Sequence, residues 1–283
     1  MMNETTKVRP SPIAGTWYSA NPTQLEQMVG AYIENAVLPE LPGEIIGLIA
    51  PHAGYRYSGS VAGHAFKAVK GRHFDCVTVI SPMHQYNPHP VLTSAHDAYR
   101  TPLGEIPIAK NLLEKINTTF QKESGMELSP VVNDQEHSLE IELPFLQCAL
   151  QGSFELIPIM LRDQSRQIAR DLGFALAKTL KGVSCLLVAS SDLSHFYPES
   201  TATQLDDRVM QTLADFSPDG LFDLKDEGQG HACGLAAIAA VLWAAQELGA
   251  NKVTLLNYDT SASATGDRSS VVGYSAAALT RPS

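Results

Sequence analysis

The 283-residue sequence contains only four cysteines, and no two of them form a Cys-x-x-Cys pair. This spacing argues against a dense disulfide framework, and scattered thiols are typical of a reducing compartment. Basic residues are also scarce, because 20 Lys and Arg stand against 30 Asp and Glu and give a net charge of −10. A broad nucleic-acid-binding surface needs clustered Lys and Arg, so the composition argues against nucleic acid as a partner.

Long apolar runs are missing as well. The longest strongly apolar stretch, Ala232 to Ala245, falls short of the roughly 20 residues that a membrane span requires, so we expect no membrane association. The N-terminal sequence MMNETTKVRPSP lacks the apolar stretch of a secretory signal, which predicts a cytoplasmic protein. With 44% hydrophobic and 18% charged residues, the chain is expected to fold around a substantial core, as a single domain over residues 1–283.

Strand-like and helix-like segments alternate along the sequence, which predicts an α/β fold. The strand-like runs are continuously apolar, as expected for strands that are covered on both faces. We therefore predict a layered α/β fold with a central, mostly parallel sheet and helices on both faces. Strands are predicted at 44–50, 76–81, 154–161, 184–190, 253–260 and 270–279. Helices are predicted at 22–37, 59–71, 111–120, 135–150, 163–180, 201–216 and 232–249, with loops at 217–230 and, as a loop or small hairpin, at 87–108. Pro144 is expected to kink the helix at 135–150 or to mark a join between two helices.

Three side chains that are far apart in the sequence lie next to predicted element ends. His52 follows the apolar run EIIGLIA, His84 follows CVTVIS, and Cys233 precedes a long apolar helix. In an open α/β sheet, ligands bind outside the carboxyl ends of the strands, so residues just past two strand ends are expected to converge. Because two imidazoles and a thiolate form a competent metal site, we predict that these three residues hold one metal ion.

Each of these residues also has a structural interpretation. A single histidine is more often a hydrogen-bonded structural residue than a ligand, and free cysteine is among the most buried residue types. Small neighbours such as Gly54 near His52, and the helix start next to Cys233, which favours a thiolate, shift the balance toward ligands. The remaining cysteines lie inside predicted strands or a predicted helix and are assigned to packing: Cys76, Cys148 and Cys185.

A second group of candidates follows the strand-like run SCLLVAS. Asp192 and His195 are three residues apart there, a spacing that permits a carboxylate to orient an imidazole for acid–base catalysis. A helix cap is the alternative for Asp192. In EHSLEIE, His137 and Glu140 would share a helix face, which indicates either metal ligands or a solvated acidic face.

Six motifs in this order resemble those of the Memo (mediator of cell motility) family, which is called AmmeMemoRadiSam system protein B in prokaryotes. The motifs are VRPSPIAGTWY, PHAGYRYSG, SPMHQ, EHSLEIELPFL, SSDLSH and GDRSSVVGYSA. The resemblance runs nearly end to end. It implies a fold similar to that of the class III extradiol dioxygenases, which hold non-haem iron at the carboxyl edge of a sheet.

The resemblance assigns roles to the same residues. The metal-binding histidines of the family match His52 and His84, and its cysteine matches Cys233. The SSD-x-x-H motif of the family supplies Asp192 and His195, which line the same pocket as acid–base groups.

Two departures limit what the resemblance implies. The dioxygenases complete their ligand set with a carboxylate, whereas Cys233 would supply sulfur here, so ring cleavage does not carry over. Gln85 stands where members of the family often have a second histidine.

Three functions remain open on the sequence alone. The leading hypothesis is a metal-dependent oxidoreductase with iron or copper, in which His195, steered by Asp192, moves protons. A zinc-dependent hydrolase would use the same ligands and leave a fourth position for activated water. A non-catalytic adaptor would reuse the pocket for a peptide. The ligand itself, a small molecule or a peptide, is not identified, and the prokaryotic family name implies an association with a radical SAM protein.

Overall fold

A large mixed sheet forms the centre of the protein, whose computed structural model describes residues 7–282. The strands are β1 (Val8–Arg9), β2 (Glu44–Ala50), β3 (Cys76–Pro82), β4 (Val91–Ser94), β5 (Ala98–Thr101), β6 (Gly104–Pro107), β7 (Ser129–Val131), β8 (Glu155–Leu161), β9 (Cys185–Ser190), β10 (His195–Tyr197), β11 (Lys252–Thr260) and β12 (Val271–Arg281). The order in the central sheet is β10-β12-β2-β9-β3-β8-β4-β7, and β11 pairs with β12. β1, β5 and β6 form a separate small sheet.

The middle of the central sheet is parallel, and its flanks are antiparallel. Strands β2, β9, β3 and β8 run in the same direction. Antiparallel pairs lie on both sides, with β12 on β2 and β4 on β8. The carboxyl ends of the parallel strands therefore meet at one edge of the sheet, which is where ligands bind in open α/β folds.

Helices cover both faces of this sheet, so the predicted layered α/β class is confirmed. The helices are α1 (Pro22–Asn35), α2 (Tyr55–Lys67), α3 (Lys110–Ser124), α4 (Leu143–Ala149), α5 (Arg166–Leu180), α6 (Glu199–Ala214), α7 (Pro218–Asp226), α8 (Leu235–Glu247) and α9 (Ala262–Thr265). Alternate residues of β9 enter opposite core clusters, with Leu186 and Val188 on one face and Leu187 and Ala189 on the other. Both faces of the strand are buried, which explains its continuously apolar sequence.

Two helix predictions need correction. The segment 135–150, predicted as a helix that Pro144 kinks or divides in two, is a loop followed by a 3-10 turn at Glu140–Glu142 and the short α4. The segment 217–230, predicted as a loop, contains α7. The expected hairpin within 87–108 is formed by β5 and β6. Within residues 7–282, none of the helices is long and apolar enough to cross a membrane.

Candidate metal centre

The predicted site residues lie past the carboxyl ends of neighbouring parallel strands. His52 comes two residues after β2, and His84 comes two residues after β3. Asp192 follows β9, which lies between these two strands, and His195 begins β10. The three strand ends are adjacent in the sheet, so the polypeptide delivers these side chains to one place.

Cys233 reaches this place from the turn before α8. The Asp192 backbone N–H donates to Cys233 Sγ at 3.2 Å, and the Cys233 N–H donates to the Asp192 carbonyl at 3.2 Å. Gly234 permits the turn to lie against β9, because a Cβ there would be 2.5 Å from the Ser190 carbonyl oxygen. The result is a distance of 3.1 Å between Cys233 Sγ and His52 Nε2.

The predicted convergence of the three ligands is present in the structure. One ligand atom each from His52, His84 and Cys233 lies within 4.8 Å of the other two. The two imidazole rings are nearly perpendicular, with centroids 5.3 Å apart. A set of two nitrogens and one sulfur suits iron, copper or zinc better than the hard cations Mg²⁺ and Ca²⁺, so the donor chemistry fits the expected metals.

Glu136 fixes the orientation of His84. Its carboxylate accepts from the His84 backbone N–H at 2.6 Å and lies 2.9 Å from His84 Nδ1. Although burial raises the pKa of Glu136, the hydrogen bond from His84, helped by one from the Ser138 backbone, outweighs burial and lowers this pKa below its usual range. An ionised carboxylate only accepts, so His84 Nδ1 carries the hydrogen and the Nε2 lone pair is available to a metal.

His52 is oriented by Ser190. The His52 ring is buried, and Nδ1 lies 3.0 Å from Ser190 Oγ. Burial lowers the pKa of His52 well below its usual value, so the ring is neutral, the form in which imidazole binds a metal.

Asp192 acts on the backbone of the site rather than on His195. Its Oδ1 accepts from the His52 N–H at 2.8 Å, while its own backbone contacts Cys233. Burial raises the pKa of Asp192 to about 7, although the hydrogen bonds from the backbone of His52 and Ala53 act to lower it. The expected role of Asp192 in steering His195 is therefore replaced by a role in holding two ligand-bearing turns together.

His195 is held instead by the carbonyl oxygen of Leu193, 2.9 Å from its Nδ1. A carbonyl only accepts, so Nδ1 carries the hydrogen and Nε2 is the free acceptor. Burial lowers the pKa of His195, which keeps the ring neutral and able to accept a proton. His231, which the sequence did not single out for a role, has its ring centroid 6.3 Å from that of His195.

The EHS segment contributes more than the sequence indicated. His137 stacks on His84 with centroids 4.8 Å apart, and the Trp17 ring packs against His137 at a centroid distance of 4.1 Å. Burial lowers the pKa of His137 to about 4. Of the two interpretations, the solvated acidic face is wrong, because Glu136 and Glu140 are both buried.

The predicted thiolate of Cys233 also needs correction for the metal-free protein. Burial raises the pKa of the thiol, and the neighbouring Asp192 carboxyl raises it further. Cys233 lies two residues before α8, and burial outweighs the influence of the helix start. A bound divalent cation reverses this balance, because a coordinating thiol is deprotonated by the metal.

Comparison with known proteins supports the assignment suggested by the motifs. The family described as Memo-like protein matches residues 9–278. The chain belongs to the Memo family. A MEMO1 family protein of Nitrosopumilus maritimus is 33% identical over 273 residues, which cover 95% of this chain and 98% of that protein. A MEMO1 family protein of Methanothermobacter thermautotrophicus is 34% identical over 277 residues, covering 94% and 98%.

A solved structure is also similar to this Memo-family chain. It is the crystal structure of an uncharacterized protein from Escherichia coli K12, with a TM-score of 0.46 and 14% identity, covering 83% of this chain and 99% of that one.

A cavity of about 550 Å³ opens in front of the ligands in this Memo-family protein. His52, His84, His137 and His195 line it together with Asp192. Aromatic side chains supply much of the remaining wall: Trp17, Tyr57, Phe196 and Tyr274. The lining contains no lysine or arginine, so within the described residues it offers no positive side chain for a phosphate or carboxylate.

Phe196 stands at this cavity in a strained backbone conformation. Its φ is 64°, in the left-handed region that bulky residues rarely adopt, and its side chain is 75% exposed. Such strain costs about 1–3 kcal/mol and is common at ligand sites.

Replacing Phe196 with Asn is therefore expected to stabilise the protein by about 1 kcal/mol, because Asn tolerates the left-handed region and little buried area is lost. Denaturant unfolding of the metal-free variant measures the effect. Tyr197→Asn is the matched control, since Tyr197 is 42% exposed and is not among the described residues with positive φ. Equal effects of the two substitutions would contradict the assignment of strain to Phe196.

Proposed function

We propose that this protein is a mononuclear metal-dependent oxidoreductase that holds iron or copper with His52, His84 and Cys233. The observation that carries the proposal is the mutual approach of these three ligand atoms within 4.8 Å, with His52 and His84 in the wall of the cavity. Iron or copper bound there would supply electron transfer to a substrate or co-substrate.

The surrounding residues have separate tasks in this proposal. Glu136 and Ser190 present the Nε2 atoms of the two histidines, and Asp192 holds the turns that carry His52 and Cys233. His195 accepts a proton from the substrate at Nε2, because its Nδ1–H is committed to Leu193. The aromatic walls exclude water from a small ligand without a dominant negative charge.

Metal analysis under anaerobic conditions tests the proposal. We expect protein purified without oxygen to retain iron or copper, and the optical or EPR signal of that metal to change reversibly on oxidation and reduction. Retention of zinc alone, with no redox-active metal taken up on reconstitution, would contradict the proposal and favour the hydrolase. A chain that takes up none of the three metals would favour the adaptor.

Two further expectations belong to the same proposal. Cys233 must stay reduced to bind the metal, which supports a cytoplasmic location. Association with a radical SAM protein is proposed from the family resemblance, and co-purification of the two proteins would test it.

A further inference from the structure

Glu142 is a fully buried carboxyl group that the proposed function does not use. It lies in the 3-10 turn before α4, and its exposed fraction is 0%. Its Oε1 lies 2.7 Å from Ser190 Oγ, whereas its Oε2 has no hydrogen-bond partner among residues 7–282. A buried carboxylate oxygen without a partner is costly, so the protonation state of this group needs a physical explanation.

The hydrogens around Ser190 identify that state. Ser190 Oγ lies 2.6 Å from the Ser138 carbonyl oxygen, 2.7 Å from Glu142 Oε1 and 3.0 Å from His52 Nδ1. A hydroxyl has one hydrogen to donate and accepts up to two. Metal binding through His52 Nε2 places a hydrogen on Nδ1, so His52 donates to Ser190.

An ionised Glu142 cannot satisfy this arrangement. Ser190 would then face two acceptors with one hydrogen, and one short oxygen–oxygen contact would have no hydrogen in it. A protonated Glu142 resolves it, because Glu142 donates to Ser190 while Ser190 donates to the Ser138 carbonyl. The unpartnered Oε2 is then a neutral carbonyl oxygen, which is cheaper to bury than a charged one.

We propose that Glu142 is a protonated positioning residue, which acts through Ser190 to hold His52 with Nε2 directed at the metal. The direction of its pKa agrees, since burial raises the pKa of Glu142 well above its usual value despite its hydrogen bond with Ser190. This inference rests on the proposed metal site. In this arrangement the ionised Glu136 orients His84 directly, whereas the protonated Glu142 orients His52 through Ser190.

Metal affinity distinguishes a neutral donor from a charged one. Loss of a hydrogen-bond partner behind a metal ligand lowers affinity about 10–100-fold, and we expect this for Ser190→Ala and Glu142→Ala in chelator competition with Zn²⁺. Glu142→Gln keeps a neutral donor of the same shape, so its loss is expected to stay below about tenfold. Ser275→Ala is the matched control, because Ser275 is an equally buried serine of β12 outside this contact. An equal loss in Glu142→Gln and Glu142→Ala would overturn the inference.

Infrared spectroscopy of the metal-free protein gives a second test that does not depend on the metal site. The infrared difference spectrum between wild type and Glu142→Gln, recorded at slightly acidic to neutral pH, should contain the carbonyl stretch of a protonated carboxylic acid. This stretch lies at a higher frequency than the amide I band. If Glu142→Gln does not fold, Ser190→Ala should shift this band without removing it. A wild-type spectrum without the band, or a band that Ser190→Ala leaves unchanged, would overturn the inference. A protein that shows the band and binds no metal would instead contradict the proposed function.

Discussion

Replacement of Cys233 by serine is expected to lower the affinity for iron, copper and zinc by more than about 100-fold. Loss of the hydrogen-bond partner of a metal ligand already lowers metal affinity about 10–100-fold, and here the ligand itself is lost. Sulfur is also the only soft donor of the predicted set, with Sγ 3.1 Å from His52 Nε2. The measurement is metal content after anaerobic purification, together with chelator competition for the purified protein.

The matched control for this experiment is Cys148→Ser. Cys148 is a half-buried thiol of α4 and lies outside the candidate ligand set. We expect this variant to keep the metal content of the wild type. Sulfur-to-metal charge-transfer absorption should be present in wild type and Cys148→Ser and absent from Cys233→Ser. Unchanged metal content in Cys233→Ser would remove sulfur from the site and with it the main departure from the dioxygenase ligand set.

The location of the site could be predicted from sequence because it depends on a general property of parallel sheets. His52 and His84 directly follow apolar runs, and the carboxyl ends of parallel strands meet at one edge. Two sequence runs are therefore enough to bring these side chains together. The position of Cys233 was harder to predict, because it depends on where α8 crosses the sheet.

The residues that orient the metal ligands through hydrogen bonds could not be predicted in the same way. Ser190 and Glu142 are 48 residues apart, and only the folded chain brings their oxygens within 2.7 Å. The acidic and apolar spacing of the EHS segment is typical of a helix, but hydrogen bonds from the His137 and Ser138 backbone to Glu136 hold a loop there instead. These are local side-chain-to-backbone hydrogen bonds, which compete with the helix that the periodicity predicts.

The missed helix α7 had a signal in the sequence. Ser217 precedes Pro218, and the Ser217 hydroxyl accepts from the Gly220 N–H at 3.2 Å as a helix cap. Serine at the cap and proline in the first turn are typical of a helix start. The glycines and acidic residues that follow made the segment resemble a loop, while burial of Leu221 and Phe222 stabilises the helix.

Replacement of Arg9 by alanine is expected to cost about 3–5 kcal/mol of unfolding free energy, because it leaves buried carboxylates without their partner. Arg9 is 1% exposed and forms a two-point contact with Asp134, at 3.0 and 2.7 Å. It also donates to Glu140 at 2.5 Å and to the Glu136 carbonyl oxygen at 2.8 Å. Denaturant unfolding measures the loss.

The control for this prediction is Arg100→Ala, since Arg100 pairs with Glu105 at the surface and such pairs contribute about 1 kcal/mol or less. The defect of Arg9→Ala should be largest near neutral pH. It should shrink as the pH falls, because burial raises the pKa of Glu140, and this carboxyl needs no cation once it is protonated. Arg9→Lys should recover only part of the stability, since an ammonium group cannot reproduce the two-point contact. A defect that is independent of pH would assign the loss to packing rather than to unpaired charge.

Arg9→Ala should also weaken metal binding, although Arg9 is not among the ligands. Arg9 holds the segment from Asp134 to Glu140, and Glu136 in that segment orients His84. Loosening the segment releases the carboxylate behind one ligand, for which we expect a loss of about tenfold or more in affinity. Chelator competition at a temperature where the variant is fully folded separates this effect from unfolding. Unchanged affinity would show that Glu136 keeps its place without Arg9, and that stability and metal binding are independent at this end of the sheet.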